Sequence, residues 1–130
     1  MTQIRGETQD IINVYRSAGA SSSQFVTDLK ETFDNTKRTL IVGDLNICFQ
    51  AERSHSVLKA VAELGFKQRV VRATHSGGRQ IDHAFIFFPE QMGVSGVEVV
   101  QESPYFTDHD ILFITEIMLD FFFLTVLNKY

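Results

Sequence analysis

The chain has 130 residues, 44% hydrophobic and 22% charged, which is globular composition rather than that of a disordered segment or coiled coil. At 14.8 kDa it has room for one domain at most. Sixteen acidic against twelve basic residues give a formal net charge of −4. That excludes a sequence-blind polyanion binder working through bulk charge, but not an enzyme that grips phosphate through a bound cation.

In chain order, residues 1–10 read as a polar lead-in with no apolar run of the kind a secretory signal needs. Cys48 is the sole cysteine, so no internal disulfide is expected and an intracellular setting is the simpler reading. Ile11 to Tyr15 predicts a short strand. Ser22 or Ser23 then caps a helix whose apolar face is Phe25, Val26, Leu29 and Phe33, at spacings of three and four. Thr39 to Val42 is a continuous apolar run stopped by Gly43, the pattern of a strand buried on both faces. A second helix is expected from about Ser54 through Val57, Leu58, Val61, Ala62 and Leu64, with Gly65 as its stop. Phe66 to Val71 predicts a strand, and Ser76-Gly77-Gly78 a turn. Ile81 to Phe88, Val97 to Gln101 and Asp110 to Thr115 complete a strand-rich second half. Two helices among six strands make an α/β chain with mixed strand directions. From Ile111 to Leu127 the chain is almost wholly apolar, but Glu116 and Asp120 interrupt it. Each carboxylate costs about 2.5–3.5 kcal/mol in mid-bilayer, which argues against a membrane span and for a last strand followed by a loosely specified apolar tail, residues 116–130.

Three segments carry candidate chemistry. In Gly43-Asp44-Leu45-Asn46 a carboxylate and an amide stand two apart directly after a buried strand, the end at which ligands collect in α/β sheets. If the strand geometry persists, both side chains share one face and suit a phosphate–metal site; an Asx turn is the alternative. In Ala73 to His83, Asp82 opens an apolar strand, where a carboxylate needs a partner and a histidine is the natural one. The competing reading is a hairpin with solvated polar residues, and His75 and His83 are either ligands or solvated. In Tyr105-Phe106-Thr107-Asp108-His109-Asp110, an Asp-His pair precedes the last apolar strand.

Taken in order, Gly-Asp-x-Asn, Ile-Asp and Thr-Asp-His, each beside a strand, resemble the carboxyl-terminal half of the endonuclease/exonuclease/phosphatase superfamily, over residues 11–115. The Ala-Thr-His-Ser-Gly-Gly-Arg-Gln-Ile-Asp-His and Tyr-Phe-Thr-Asp-His-Asp stretches look closest to the endonuclease domains of mobile elements and their helicase-linked relatives. The resemblance implies a partial DNase I-like α/β/β/α sandwich and hydrolysis of a phosphodiester, most readily in DNA, with a small phosphoester as the alternative substrate. A non-catalytic remnant acting through protein contacts is the third reading. By resemblance Asp44 orients the attacking water, Asn46 holds the scissile phosphate, His109 contacts it, Asp82 pairs with His109, and Tyr15 matches an active-site tyrosine. Asp108 and Asp44 would hold Mg2+, or Mn2+, while Arg79 is a candidate phosphate contact beside Arg69 and Arg72. The family's amino-terminal half, with its metal-binding Glu, is not matched, and Glu7 is no substitute. Its absence predicts a bared apolar sheet face, with Phe85, Phe87, Phe88 and Phe121 to Phe123 available for association. No membrane partner is expected, and an intracellular location, the nucleus included, fits.

Overall fold

The computed structural model describes residues 1–90, 96–118 and 121–127. The chain is mixed α/β, with two helices and eight strands among the described residues: β1 (Thr2–Arg5), β2 (Gln9–Tyr15), α1 (Ser22–Thr32), β3 (Arg38–Asp44), α2 (Ser56–Glu63), β4 (Lys67–Gln68), β5 (Asp82–Phe87), β6 (Gly96–Glu102), β7 (Ile111–Met118) and β8 (Phe121–Leu127). A five-stranded mixed sheet runs β1-β2-β3-β5-β4, and a three-stranded antiparallel sheet runs β6-β7-β8. Only β2 and β3 pair in parallel within the first sheet, and α1 supplies the crossover that a parallel pair requires.

Side-chain alternation decides what each face of the large sheet meets. Ile12, Val14, Ile41 and Phe85 point one way and pack with Leu29 of α1 and Val57, Leu58 and Val61 of α2. Leu40, Val42, Ala84 and Ile86 point the other way and are covered by Leu112 and Ile114 of β7, with Val99 of β6 beside them. The apolar face expected to be bare is therefore buried. Phe85 is 3% exposed, Phe87 packs against Phe33 and Phe66 at ring separations of 4.9 and 5.6 Å, and Phe88 lies against the second core. The side chains of Phe121 to Phe123 lie outside the described residues.

The helices form as the periodicity predicts. The cap of α1 is Ser21 rather than Ser22 or Ser23, its hydroxyl accepting from the Gln24 amide, while Phe25, Val26, Leu29 and Phe33 all face the core as expected. For α2 the cap is His55, whose Nδ1 accepts from the Val57 amide, so the helix starts two residues later than expected. It ends in a Schellman arrangement: the Gly65 amide donates to Ala62 and that of Phe66 to Val61, with Gly65 at φ 94°.

Three strands depart from expectation. The polar lead-in contains β1, hairpinned onto β2 through the Gly6 amide bonded to Gln9. The apolar tail contains β8, paired to β7. The strand expected over Phe66 to Val71 shrinks to β4: the Arg69 amide still donates to the Ala84 carbonyl at 2.8 Å, but side chains crowd into the ladder beside it. Gln68 Oε1 accepts from the amides of Arg69, Val70 and Ala84, and Gln80 Nε2 donates to the Val70 carbonyl.

Candidate functional site

The site sits where β2 and β3 end and β5 begins. Register places Tyr15 opposite Asp44, and Asp44 opposite Asp82. Because Asp44 shares its side with Leu40 and Val42, and Asp82 with Ala84 and Ile86, both carboxylates project toward the second sheet at its rim. That sheet delivers the third member. His109 precedes β7 and forms an isolated bridge with His75. Ligand atoms of Asp44, Asp82 and His109 all lie within 4.8 Å of one another.

His109 Nδ1 and Asp82 Oδ2 are 2.8 Å apart, in a pair shielded from water with 18% and 9% of the two side chains exposed. Thr74, fully buried, holds the start of β5 by accepting from the amides of Ile81 and Asp82. Burial pushes the Asp82 carboxyl above its ordinary value, more than its hydrogen bonds with His109 and Thr74 pull it down; the nearby Asp44 charge adds to the rise.

The strand ends at Asp44 and does not continue to Asn46. Asn46 turns to φ 52°, its amide donates to Asp44 Oδ1 at 2.7 Å, and its side-chain Nδ2 donates to the Arg16 carbonyl at 2.7 Å. The Asx turn is thus present, and it is also what sets the carboxylate beside Asp82. Gly43 makes this possible: a Cβ there would stand 1.9 Å from the Val14 carbonyl oxygen, at φ 135°.

Other sequence candidates fall elsewhere. Asp108 is exposed and stands outside the group of three, on the wall of a cavity of about 310 Å3 that also holds Arg72 and His75. Arg79 is half exposed and pairs with Glu52 at 3.4 Å. Tyr15 is 63% exposed. His83 is no ligand. It is fully buried, with Gln68 Nε2 at 2.7 Å from Nδ1 and the Ile47 carbonyl at 2.9 Å from Nε2, and desolvation lowers it to about 4. His75 accepts from the Gly77 amide through Nδ1, its ring edge-to-face with His109 at 5.0 Å.

Two residues that sequence reasoning passed over matter here. Thr74 carried a signal only in being a hydroxyl eight residues before Asp82. Arg16 carried one in being a cation directly after a buried strand. Its amide donates to the Asp44 carbonyl at 2.8 Å and its Nη1 to the Leu45 carbonyl at 3.3 Å.

No helix among the described residues is long and apolar enough to cross a membrane. Compared with protein-family models, curated proteins and solved structures, the chain matches none.

Proposed function

We propose that this chain is a divalent-cation-dependent phosphodiesterase of the endonuclease/exonuclease/phosphatase type, organised as the carboxyl-terminal part of a DNase I-like sandwich and acting on nucleic acid, DNA foremost. One observation carries the reading. Three residues from three separate motifs, Asp44, Asp82 and His109, meet at one rim, with His109 and Asp82 paired at 2.8 Å. The layering of helices, five-stranded sheet and three-stranded sheet is consistent with it.

The donor set fits a hard cation. Magnesium binds through one or two carboxylates and completes its shell with water and phosphate oxygens, and manganese takes the same ligands. Asp44 and Asp82 are the carboxylates that would hold it, and two like charges facing each other are relieved by a cation between them. When bound, such an ion supplies positive charge to the phosphoryl oxygens and acidifies a bound water.

The chain's own groups do the rest. Asp82 fixes the His109 ring through Nδ1, leaving Nε2 to donate to a phosphoryl oxygen when the ring is protonated. A donor aimed at developing charge contributes about 2.7–4 kcal/mol to lowering a barrier. Asn46 spends one side-chain N–H on Arg16, which orients the amide and leaves its second N–H for the substrate.

The test is nicking of supercoiled plasmid by the full chain with magnesium, with Asp44→Asn and His109→Ala expected to abolish it and a chelator to suppress it. Cleavage undiminished in His109→Ala would overturn the assignment, as would no magnesium-dependent nicking at all. Release of inorganic phosphate from small phosphoesters with plasmid left intact would move the substrate to that class.

A further inference from the structure

The isolated bridge beside the Asp44–Asp82–His109 group brings a second histidine to the rim, and the chemistry proposed so far leaves it idle. The Ser76 amide donates to the Asp108 carbonyl at 2.8 Å and the Asp110 amide to the Thr74 carbonyl at 2.7 Å. Those bonds flank His75 and His109, which are thus directly opposite each other as a non-hydrogen-bonded antiparallel pair. Opposed residues of such a pair project to one face and bring their side chains closest together. The two rings accordingly meet edge to face, 5.0 Å apart. Because His109 turns its Nδ1 to Asp82 at the rim, His75 faces that side as well.

The His75 ring is held in one tautomer. Its Nδ1 accepts from the Gly77 amide at 3.0 Å, so the ring proton sits on Nε2. Gly77 permits this approach, since a Cβ there would stand 3.1 Å from Nδ1. Nε2 makes no hydrogen bond among the described residues. The residue forms part of the wall of the cavity of about 310 Å3 that Arg72 also borders. A protonated Nε2 is a donor and not a metal ligand, and His75 stands outside the group of three that could hold a cation. A donor on the same face as His109, with an arginine on the same wall, suits an anionic oxygen.

We propose that His75 is a second substrate-contacting residue of the site, its Nε2 donating to a non-bridging oxygen of the phosphodiester that His109 contacts. The inference rests on the phosphodiesterase reading and deepens it, by giving the phosphate two donors from opposed strands.

The experiment follows the imidazole nitrogens of the full, isotope-labelled chain by NMR while a single-stranded deoxyoligonucleotide is added, in chelator so that no turnover intervenes. Free His75 should show a protonated Nε2 and a bare Nδ1. On addition its Nε2 resonance should move together with that of His109, while His55, at the start of α2, stays in place. His75→Ala leaves the backbone bridge intact and should melt with wild type. It should bind the oligonucleotide at least about tenfold more weakly, the loss of one hydrogen bond to a charged group. It should also nick plasmid about 100-fold more slowly, as for a lost donor to developing charge. His75→Gln, which keeps a side-chain N–H, should recover part of both. A His75 resonance unmoved by the oligonucleotide overturns the proposal, as does a proton found on Nδ1. Nicking lost in Asp44→Asn but equal in His75→Ala and wild type refutes only this inference. A moving His75 resonance and weakened binding in His75→Ala, with no nicking by any of the proteins, refutes only the hydrolase.

Discussion

Acidification should destabilise this protein through His83, and the size of the effect follows from the surroundings of the ring. The ring is fully buried, bonded to Gln68 on one side and to the Ile47 carbonyl on the other, with Phe85 stacked at 5.2 Å. With the Ile47 carbonyl accepting, Nε2 carries the proton and Nδ1 accepts from Gln68, so the neutral ring is satisfied and a second proton has nowhere to go. Burial accordingly lowers its pKa from 6.5 to about 4. Below the unfolded value the denatured chain takes up a proton that the folded one refuses, so stability is complete above about pH 6.5 and drains away as pH falls toward 4. At 1.36 kcal/mol per unit, about 2–3 kcal/mol is lost between roughly pH 7.5 and 4.5. Asp82 works in the opposite sense, because its raised carboxyl pKa makes the folded state the better proton acceptor as pH falls. Urea unfolding of wild type and His83→Gln across that range separates the two, since Asp82 is common to both. The variant should be less stable at neutral pH, and its stability should fall by about 2–3 kcal/mol less on acidification. Parallel curves for the two proteins, or a His83 ring titrating near 6.5 by NMR, would refute the argument.

Gly43→Ala should cost at least about 3 kcal/mol in chemical denaturation, because its Cβ would stand 1.9 Å from a carbonyl oxygen of the parallel neighbour at a φ of 135°. Leu112→Ala, at a side chain 2% exposed that joins the two sheets, should cost about 2–5 kcal/mol; a loss under about 1 kcal/mol would mean that the second sheet does not cover the first. Asp82→Asn should separate stability from activity. Removing a buried carboxylate that faces Asp44 leaves the melting temperature equal or higher, while losing the charge that orients His109 lowers plasmid nicking about 10–100-fold.

Much of the architecture is legible because single positions carry strong local signals. The spacing of Phe25, Val26, Leu29 and Phe33 allows one helical face, and Gly65 marks a stop that the Schellman bonds then use. The apolar run into Gly43 reads as a strand covered on both sides, and residues of β3 do contribute to both cores. What stays hidden has tertiary causes. β1 is a polar edge strand whose Ile4 is 62% exposed, so it shows no alternation and exists only because β2 offers it a partner. The shortening of β4 depends on two glutamine side chains whose reach into a backbone ladder leaves no mark in the composition. At the site, the Asp82–His109 pair is foreshadowed by the order of the motifs. The exclusion of Asp108 from the group is not, because adjacent residues in a loop do not announce which of them turns inward.

The backbone around Asp44 explains why the group forms at this edge and at no other described position. Positive φ angles bracket it, at Gly43 and at Asn46, and Asn46 is the one non-glycine residue with such an angle among those described. Left-handed geometry at a residue with a side chain costs about 1–3 kcal/mol and persists only where its surroundings over-determine it. Here they do: the Leu45 amide donates to the Ile81 carbonyl, the Asn46 amide to Asp44, the Asn46 side chain to Arg16, and the Arg16 amide back to Asp44. One of these bonds lies within the turn; the others tie it to Ile81 just before β5 on one side and to Arg16 just after β2 on the other. Asp44 therefore inherits its position from both neighbours in the sheet, and the strain is stored where the carboxylate must face Asp82 across a short gap. A chain with these strands and without the paired turns would keep both cores and leave its carboxylate free to swing into water.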